Sequence, residues 1–132
     1  PVKGTPMDFT TAKMIGEEIG AEFEQLQIGG GYDHNWVLDD VDGQLRLVAK
    51  VTAPGTSRAM KVYTTLPGIQ FYAGNFIGEQ DGKSGVKYHN RCGLALETQF
   101  FPDSIHKDNF PDAVFGPDRQ YTSSTVYRFC NA

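Results

Sequence analysis

Leu45-Arg46-Leu47-Val48-Ala49-Lys50-Val51-Thr52 decides the fold class. Leu45, Leu47, Ala49 and Val51 occupy every second position, with Arg46 and Lys50 between them. A period of two puts alternate side chains on opposite faces of an extended chain, so the run reads as a strand with one apolar face. Working outward, Ala59 to Thr65 repeats the pattern, with Met60 and Val62 opposite Lys61 and Tyr63. Asp42-Gly43 before the first run and Pro54-Gly55 between the two supply turn residues. Ile69 to Tyr72, Leu94 to Phe101 and Tyr121 to Phe129 read as further strands. In the last of these Tyr121, Ser123, Thr125, Tyr127 and Phe129 share a face. Lys13 to Leu26 places Met14, Ile15, Ile19, Phe23 and Leu26 at roughly helical spacing. Gly16 and Gly20 each weaken a helix by about 1 kcal/mol relative to Ala, so a short turn of helix is the most expected there. The pattern predicts an all-β chain, a β-sandwich.

A chain of 132 residues fits one domain and buries about two thirds of its unfolded surface, enough for a core without staples. The net charge of −4, with its Lys and Arg scattered, argues against nucleic acid as a partner. No apolar run approaches the length that crosses a bilayer, so no membrane partner is expected. Cys92 and Cys130 are too few for a disulfide scaffold and lack zinc spacing. They read as reduced, partly buried thiols and fit a cytoplasmic protein.

Four local patterns imitate known motifs and fail. Asp39-Asp40-Val41-Asp42-Gly43 suggests a calcium loop, but counting back from the glycine puts Leu38 where a ligand oxygen is required, leaving an acidic hairpin turn. Gly82-Lys83-Ser84 resembles the end of a P-loop, with Gly78 one residue too close and no helix following. Gly29-Gly30-Gly31 reads as a turn, and Tyr88-His89-Asn90-Arg91-Cys92 as a surface loop short of metal ligands. His34, His89 and His106 lie in polar, loop-like surroundings and read singly as structural or solvated.

Two carboxylates stand out. Glu97 sits in Gly93-Leu94-Ala95-Leu96-Glu97-Thr98-Gln99-Phe100-Phe101, an apolar strand-like run. An acid among Leu and Phe is expected to be poorly solvated, which raises a carboxyl pKa and makes it usable as a base near neutrality. The competing reading is an outward-facing strand residue, since Leu94 and Leu96 alternate with Ala95 and Glu97. Asp33, in Gly31-Tyr32-Asp33-His34-Asn35, sits where a glycine turn enters a strand. It is placed either for binding or simply to bond its own backbone in the turn.

The combination of Gly30 to Leu38, Thr64 to Phe76, Leu96-Glu97-Thr98-Gln99 and Phe101-Pro102-Asp103-Ser104 resembles the galactose mutarotase (aldose epimerase) family. Gly4 to Phe9, Asn109-Phe110-Pro111 and Tyr121 to Phe129 fit it in the same order. The resemblance implies a β-supersandwich and reversible interconversion of α- and β-anomers of a monosaccharide, galactose or glucose. By the same resemblance the general base falls on Glu97, a sugar-hydroxyl ligand on Asp33 and a further sugar contact on Gln70. Phe71 or Tyr72 is expected to offer a stacking face, only one of them pointing inward. Proton transfer suffices for this reaction, so no metal or cofactor is expected.

The likeness is to the C-terminal part of the family alone. Residues 1–132 are expected to form the C-terminal part of a single mutarotase-like β-sandwich domain, with the missing N-terminal part of the same protein as a partner. The family's acid histidine has no counterpart in His34, His89 or His106, so the chain alone is expected to be inactive. A non-catalytic carbohydrate-binding β-sandwich is the alternative, and a structural or regulatory relative the third.

Overall fold

The computed structural model describes all of residues 1–132. Its regular elements are α1 (Glu24–Gly29), β1 (Asp33–Val37), β2 (Arg46–Thr52), β3 (Arg58–Thr64), β4 (Gly68–Tyr72), β5 (Gln80–Asp81), β6 (Lys87–Tyr88), β7 (Ala95–Gln99) and β8 (Thr125–Asn131). The chain is all-β, as its period-two runs predict. One sheet has the order β1-β4-β7, a second β2-β3-β8, and β5 pairs with β6 in a small ribbon. β1 and β4 run antiparallel: Ala73 N–H bonds Tyr32 O at one end of the pair, and Leu38 N–H bonds Pro67 O at the other. No helix is long and apolar enough to cross a membrane.

The contacts divide into two compact units, residues 1–34 with 70–96 and residues 35–69 with 97–132. The first unit has an aromatic core. Tyr32 is fully buried and stacks on Phe71, ring centroids 5.5 Å apart and planes 21° apart, while Phe9 meets both rings edge-on. Met7, Ile19, Leu26 and Ala73 are buried with them. In this unit α-helix is confined to α1, downstream of the stretch where Gly16 and Gly20 lie in turns, and a single 3-10 turn forms at Lys83–Gly85.

The second unit contains the whole β2-β3-β8 sheet. The Pro54-Gly55 turn between β2 and β3 forms as expected, with Gly55 at φ 73°. Val62 and Thr64 on β3 are fully buried, and Thr64 Oγ1 accepts from Leu66 N–H. Thr98 of β7 meets Thr125 of β8 hydroxyl to hydroxyl at 2.5 Å, so within this unit side chains of the two sheets touch. Phe100 packs on Phe115, Phe115 on Tyr121, and Phe101 on Phe110.

Three expectations change. The strand alternation from Leu45 to Val51 is interrupted by a bulge at Val48: Leu47 pairs with Tyr63 but Ala49 with Val62, and neighbours on β3 face opposite ways. Leu45 and Leu47 are accordingly half exposed, while Ala49 and Val51 are partly covered. The Asp39–Gly43 turn joins β1 to β2, which belong to different sheets, so it is a crossover and not a hairpin. The last strand begins at Thr125, and Tyr121 to Ser124 precede it as irregular chain. The register also sets Lys50, Lys61 and Arg128 in one row across β2, β3 and β8.

Tyr32 gives the first unit a pH dependence. Its hydroxyl donates to Pro6 O at 3.0 Å, and burial, then Glu18 and Glu17, push its pKa above the ordinary 10.0. A group whose folded pKa is raised contributes stability below its unfolded pKa and loses it as pH rises through the folded value. Urea titrations should show stability falling above pH 10, and less so in Tyr32→Phe. At pH 7 the same variant should be weaker by about 1 kcal/mol, the worth of one hydrogen bond, since Pro6 O keeps Lys13 Nζ as a donor.

Candidate functional site

Asp33 is delivered by a glycine turn. Helix α1 ends at Gly30 (φ 63°), where Gly30 and Gly31 N–H groups bond Gln27 O and Leu26 O, closing the last turn in the left-handed manner that glycine allows. Gly31, at φ 131°, then lies against the side chain of Asn75. Asn75 Nδ2 donates to Gly29 O at 3.2 Å and Tyr32 O at 3.0 Å, so one buried amide ties the turn on both sides. Its Oδ1 is buried without a hydrogen-bond partner. A Cβ on Gly31 would come within 2.4 Å of that oxygen.

Asp33 opens β1 half-buried, and its Oδ1 accepts from Gln70 Nε2 at 2.8 Å. Gln70 is on β4 between Ile69 and Phe71, both buried, so strand alternation turns Gln70 and Tyr72 to the opposite face. Phe71 is therefore a core residue, and Tyr72 is the aromatic beside Gln70. Its hydroxyl accepts from Phe76 N–H at 2.8 Å. An acid bonded to an amide leaves oxygen acceptors and an N–H donor on adjacent atoms, a pairing suited to vicinal hydroxyls.

Glu97 lies in the second unit, at the middle of β7, and is exposed. The poor solvation expected from its apolar neighbours does not occur. Leu96 and Thr98 occupy the other side of the strand, Leu94 precedes it and is itself 39% exposed, and alternation leaves Glu97 facing outward. Its neighbours are fixed more firmly. Gln99 Nε2 donates to Asn35 Oδ1 at 3.2 Å, and Thr98 bonds Thr125. Beyond β7, Asp103 turns the chain at φ 60°, and Ser104 Oγ, buried, donates to Phe101 O at 2.7 Å.

Two of the three sequence candidates, Asp33 and Gln70, are thus in direct contact. The three come from β1, β4 and β7, each a different strand of one sheet. The histidines are differently placed than expected in one case: His34 is within β1, and its Nδ1 accepts from Asp33 N–H at 3.1 Å. His89 is exposed, and His106 pairs with Asp103 at the surface. Cys92 is exposed, not partly buried, and Cys130 is half-buried; both are free thiols. No group of three or more His, Cys, Asp or Glu side chains stands close enough to hold a metal ion.

Asn35, Asn75 and Gln99 escaped the sequence reading. Each lies in a quoted motif or beside one, but an amide that bridges strands has no characteristic spacing. A signal was present in Gly68, which follows Pro67 like a turn residue. It lacks a positive φ and is buried, so it serves space and not turn geometry.

The family model for aldose 1-epimerase matches residues 1–128. The chain belongs to the aldose 1-epimerase family. This aldose 1-epimerase family member is 38% identical to galactose mutarotase of Mus musculus over 130 residues, covering 98% of the chain and 36% of that protein. It is also 38% identical over 130 residues to aldose 1-epimerase of Escherichia coli K12, covering 97% of the chain and 37% of that protein. The crystal structure of a GalM/aldose epimerase homologue from C. elegans superposes with a TM-score of 0.81 at 27% identity, covering 98% of the chain and 38% of that structure. The sandwich class is shared with that neighbour. The chain spans just over a third of the length of the curated relatives it matches.

The turn before Asp33 is the part most sensitive to a single added atom. Gly31→Ala combines an unfavourable φ with the contact against Asn75, and should cost about 2–3 kcal/mol. A urea midpoint unchanged from the parent would refute that account of the turn.

Proposed function

We propose that the intact protein interconverts the α- and β-anomers of an aldose, galactose or glucose, by acid–base ring opening. Family membership supports the reaction class. The observation that supports the site most directly is the 2.8 Å bond from Gln70 to Asp33, two candidate sugar contacts from separate strands already joined. Glu97 acts as the base, and Asp33 and Gln70 hold sugar hydroxyls.

The chemistry needs a proton taken from the anomeric hydroxyl and another given to the ring oxygen. The ring opens, the first carbon–carbon bond rotates, and reclosure from the other side produces the second anomer. A carboxylate serves the first step and returns its proton after reclosure. The acid for the second step is not assigned to this chain's histidines. His34 Nδ1 is engaged by Asp33 N–H, His89 Nδ1 lies at Asn90 O, and His106 is bound to Asp103. The 132 residues alone should therefore show little or no mutarotation above the spontaneous rate.

Polarimetry on freshly dissolved α-galactose tests the assignment in the intact protein. Glu97→Gln should lower kcat about 100-fold or more, the usual contribution of a positioned general base. Gln70→Leu should raise KM about tenfold, removing one hydrogen bond to substrate and one to Asp33. A Glu97→Gln variant as fast as the parent would remove Glu97 from the base role, whereas an intact protein that binds galactose without exceeding the spontaneous rate would be a carbohydrate-binding module in place of the enzyme.

A further inference from the structure

We infer that Asn35 and Gln99 form a strut across Gly68 that positions Glu97, and that both are positioning residues for its proton transfer. The inference rests on the reading of Glu97 as the base.

β4 lies between β1 and β7 in the sheet. Neighbouring strands are about 4.8 Å apart, so the backbones joined by Asn35 and Gln99 are about 10 Å apart. The Gln99 Nε2 to Asn35 Oδ1 bond of 3.2 Å therefore passes over the middle strand. Ordinarily a side chain on β4 would occupy that path. Gly68 stands there instead: a Cβ would meet Asn35 Oδ1 at 2.6 Å, Asn35 Nδ2 at 3.0 Å and Phe101 Cδ1 at 3.0 Å. Gly68 has no positive φ to explain its presence, so the empty space above it is its structural contribution.

Glu97 and Gln99 are two apart on one strand and project from the same face. The strut thus fixes the strand immediately beside the base, on the base's own side. On the opposite side Thr98 bonds Thr125, whose hydroxyl lies 3.4 Å from that of buried Thr64. An exposed carboxylate is otherwise free among rotamers and follows every movement of its strand. Proton transfer needs the reacting atoms placed to within a fraction of an ångström, whereas hydroxyl binding at Asp33 and Gln70 does not involve this strand position. The strut should consequently affect turnover and leave substrate affinity alone.

The test compares Asn35→Ala, Gln99→Ala, the double variant and Glu97→Gln in the intact protein, with kcat and KM for galactose measured separately. Each single strut variant should lower kcat about tenfold with KM within about twofold, and the double variant should lose no more than the worse single. Gly68→Ala, which forces the two amides apart from below, should show the same split. It also serves if either amide variant fails to fold. A purely structural role would lower the melting temperature and leave kcat per folded molecule unchanged, which overturns the inference. So would multiplying effects of the two singles, or a rise in KM at constant kcat. If Glu97→Gln is inactive and the strut variants are silent, only the strut fails. If Glu97→Gln is fully active, the base assignment and the strut fall together.

Discussion

Side-chain amides lying against glycine Cα atoms hold the candidate site in place. Asn75 reaches past Gly31 to two carbonyls, and Asn35 reaches past Gly68 to Gln99. In both places a methyl group would occupy the amide's position. The first amide sets the turn from which Asp33 emerges, and the second, on β1, bonds the last residue of the strand that carries Glu97. Backbone ladders determine which strands are neighbours, but they leave strand ends free to fray. Cross-strand amide bonds add ties beyond the ladder, from Asn75 to the turn before β1 and from Gln99, the last residue of β7, to Asn35. A hydrogen bond of this kind contributes on the order of 1 kcal/mol, and breaking it while its partner stays buried costs more.

Much of the architecture was legible in the sequence because burial on one face leaves a period of two. Ala59 to Thr65 alternated as read, with Val62 and Thr64 fully buried. Ile69 to Tyr72 likewise separated Phe71 into the core from Gln70 and Tyr72. Reading failed where a single inserted residue changed the phase. The bulge at Val48 sends Leu47 and Ala49 to opposite faces, and nothing in Leu-Val-Ala announces it. Glu97 failed for a related reason. Apolar neighbours along the sequence do not make apolar surroundings, because along a strand they face away. The Asp33 and Gln70 contact lies 37 positions apart in sequence, and local pattern carries no information about such a pair. Family resemblance named them because it preserves pairs that spacing cannot express.

The two units differ in how they are held. In the first, Tyr32, Phe71 and Phe9 make an aromatic cluster with one hydroxyl donated to Pro6 O, and long irregular segments wrap it. The second relies on a regular antiparallel ladder in which β3 is central and β2 and β8 flank it. Hydroxyls supply polar closure there: Thr125 lies within hydrogen-bonding reach of both Thr64 and Thr98. Threonine suits this because its branched carbon favours the extended chain while its hydroxyl serves as both donor and acceptor.

The row of Lys50, Lys61 and Arg128 has an electrostatic consequence. Directly opposed like charges weaken a sheet, and here three ammonium and guanidinium groups follow one another across it on a molecule of net charge −4. Dissolved anions will gather along that line and screen it, since the Debye length shortens from about 30 Å at 0.01 M to about 10 Å at 0.1 M ionic strength. The β2-β3-β8 ladder is thus the region that moderate salt strengthens, in contrast to surface ion pairs such as Asp112 with Arg119, which salt weakens.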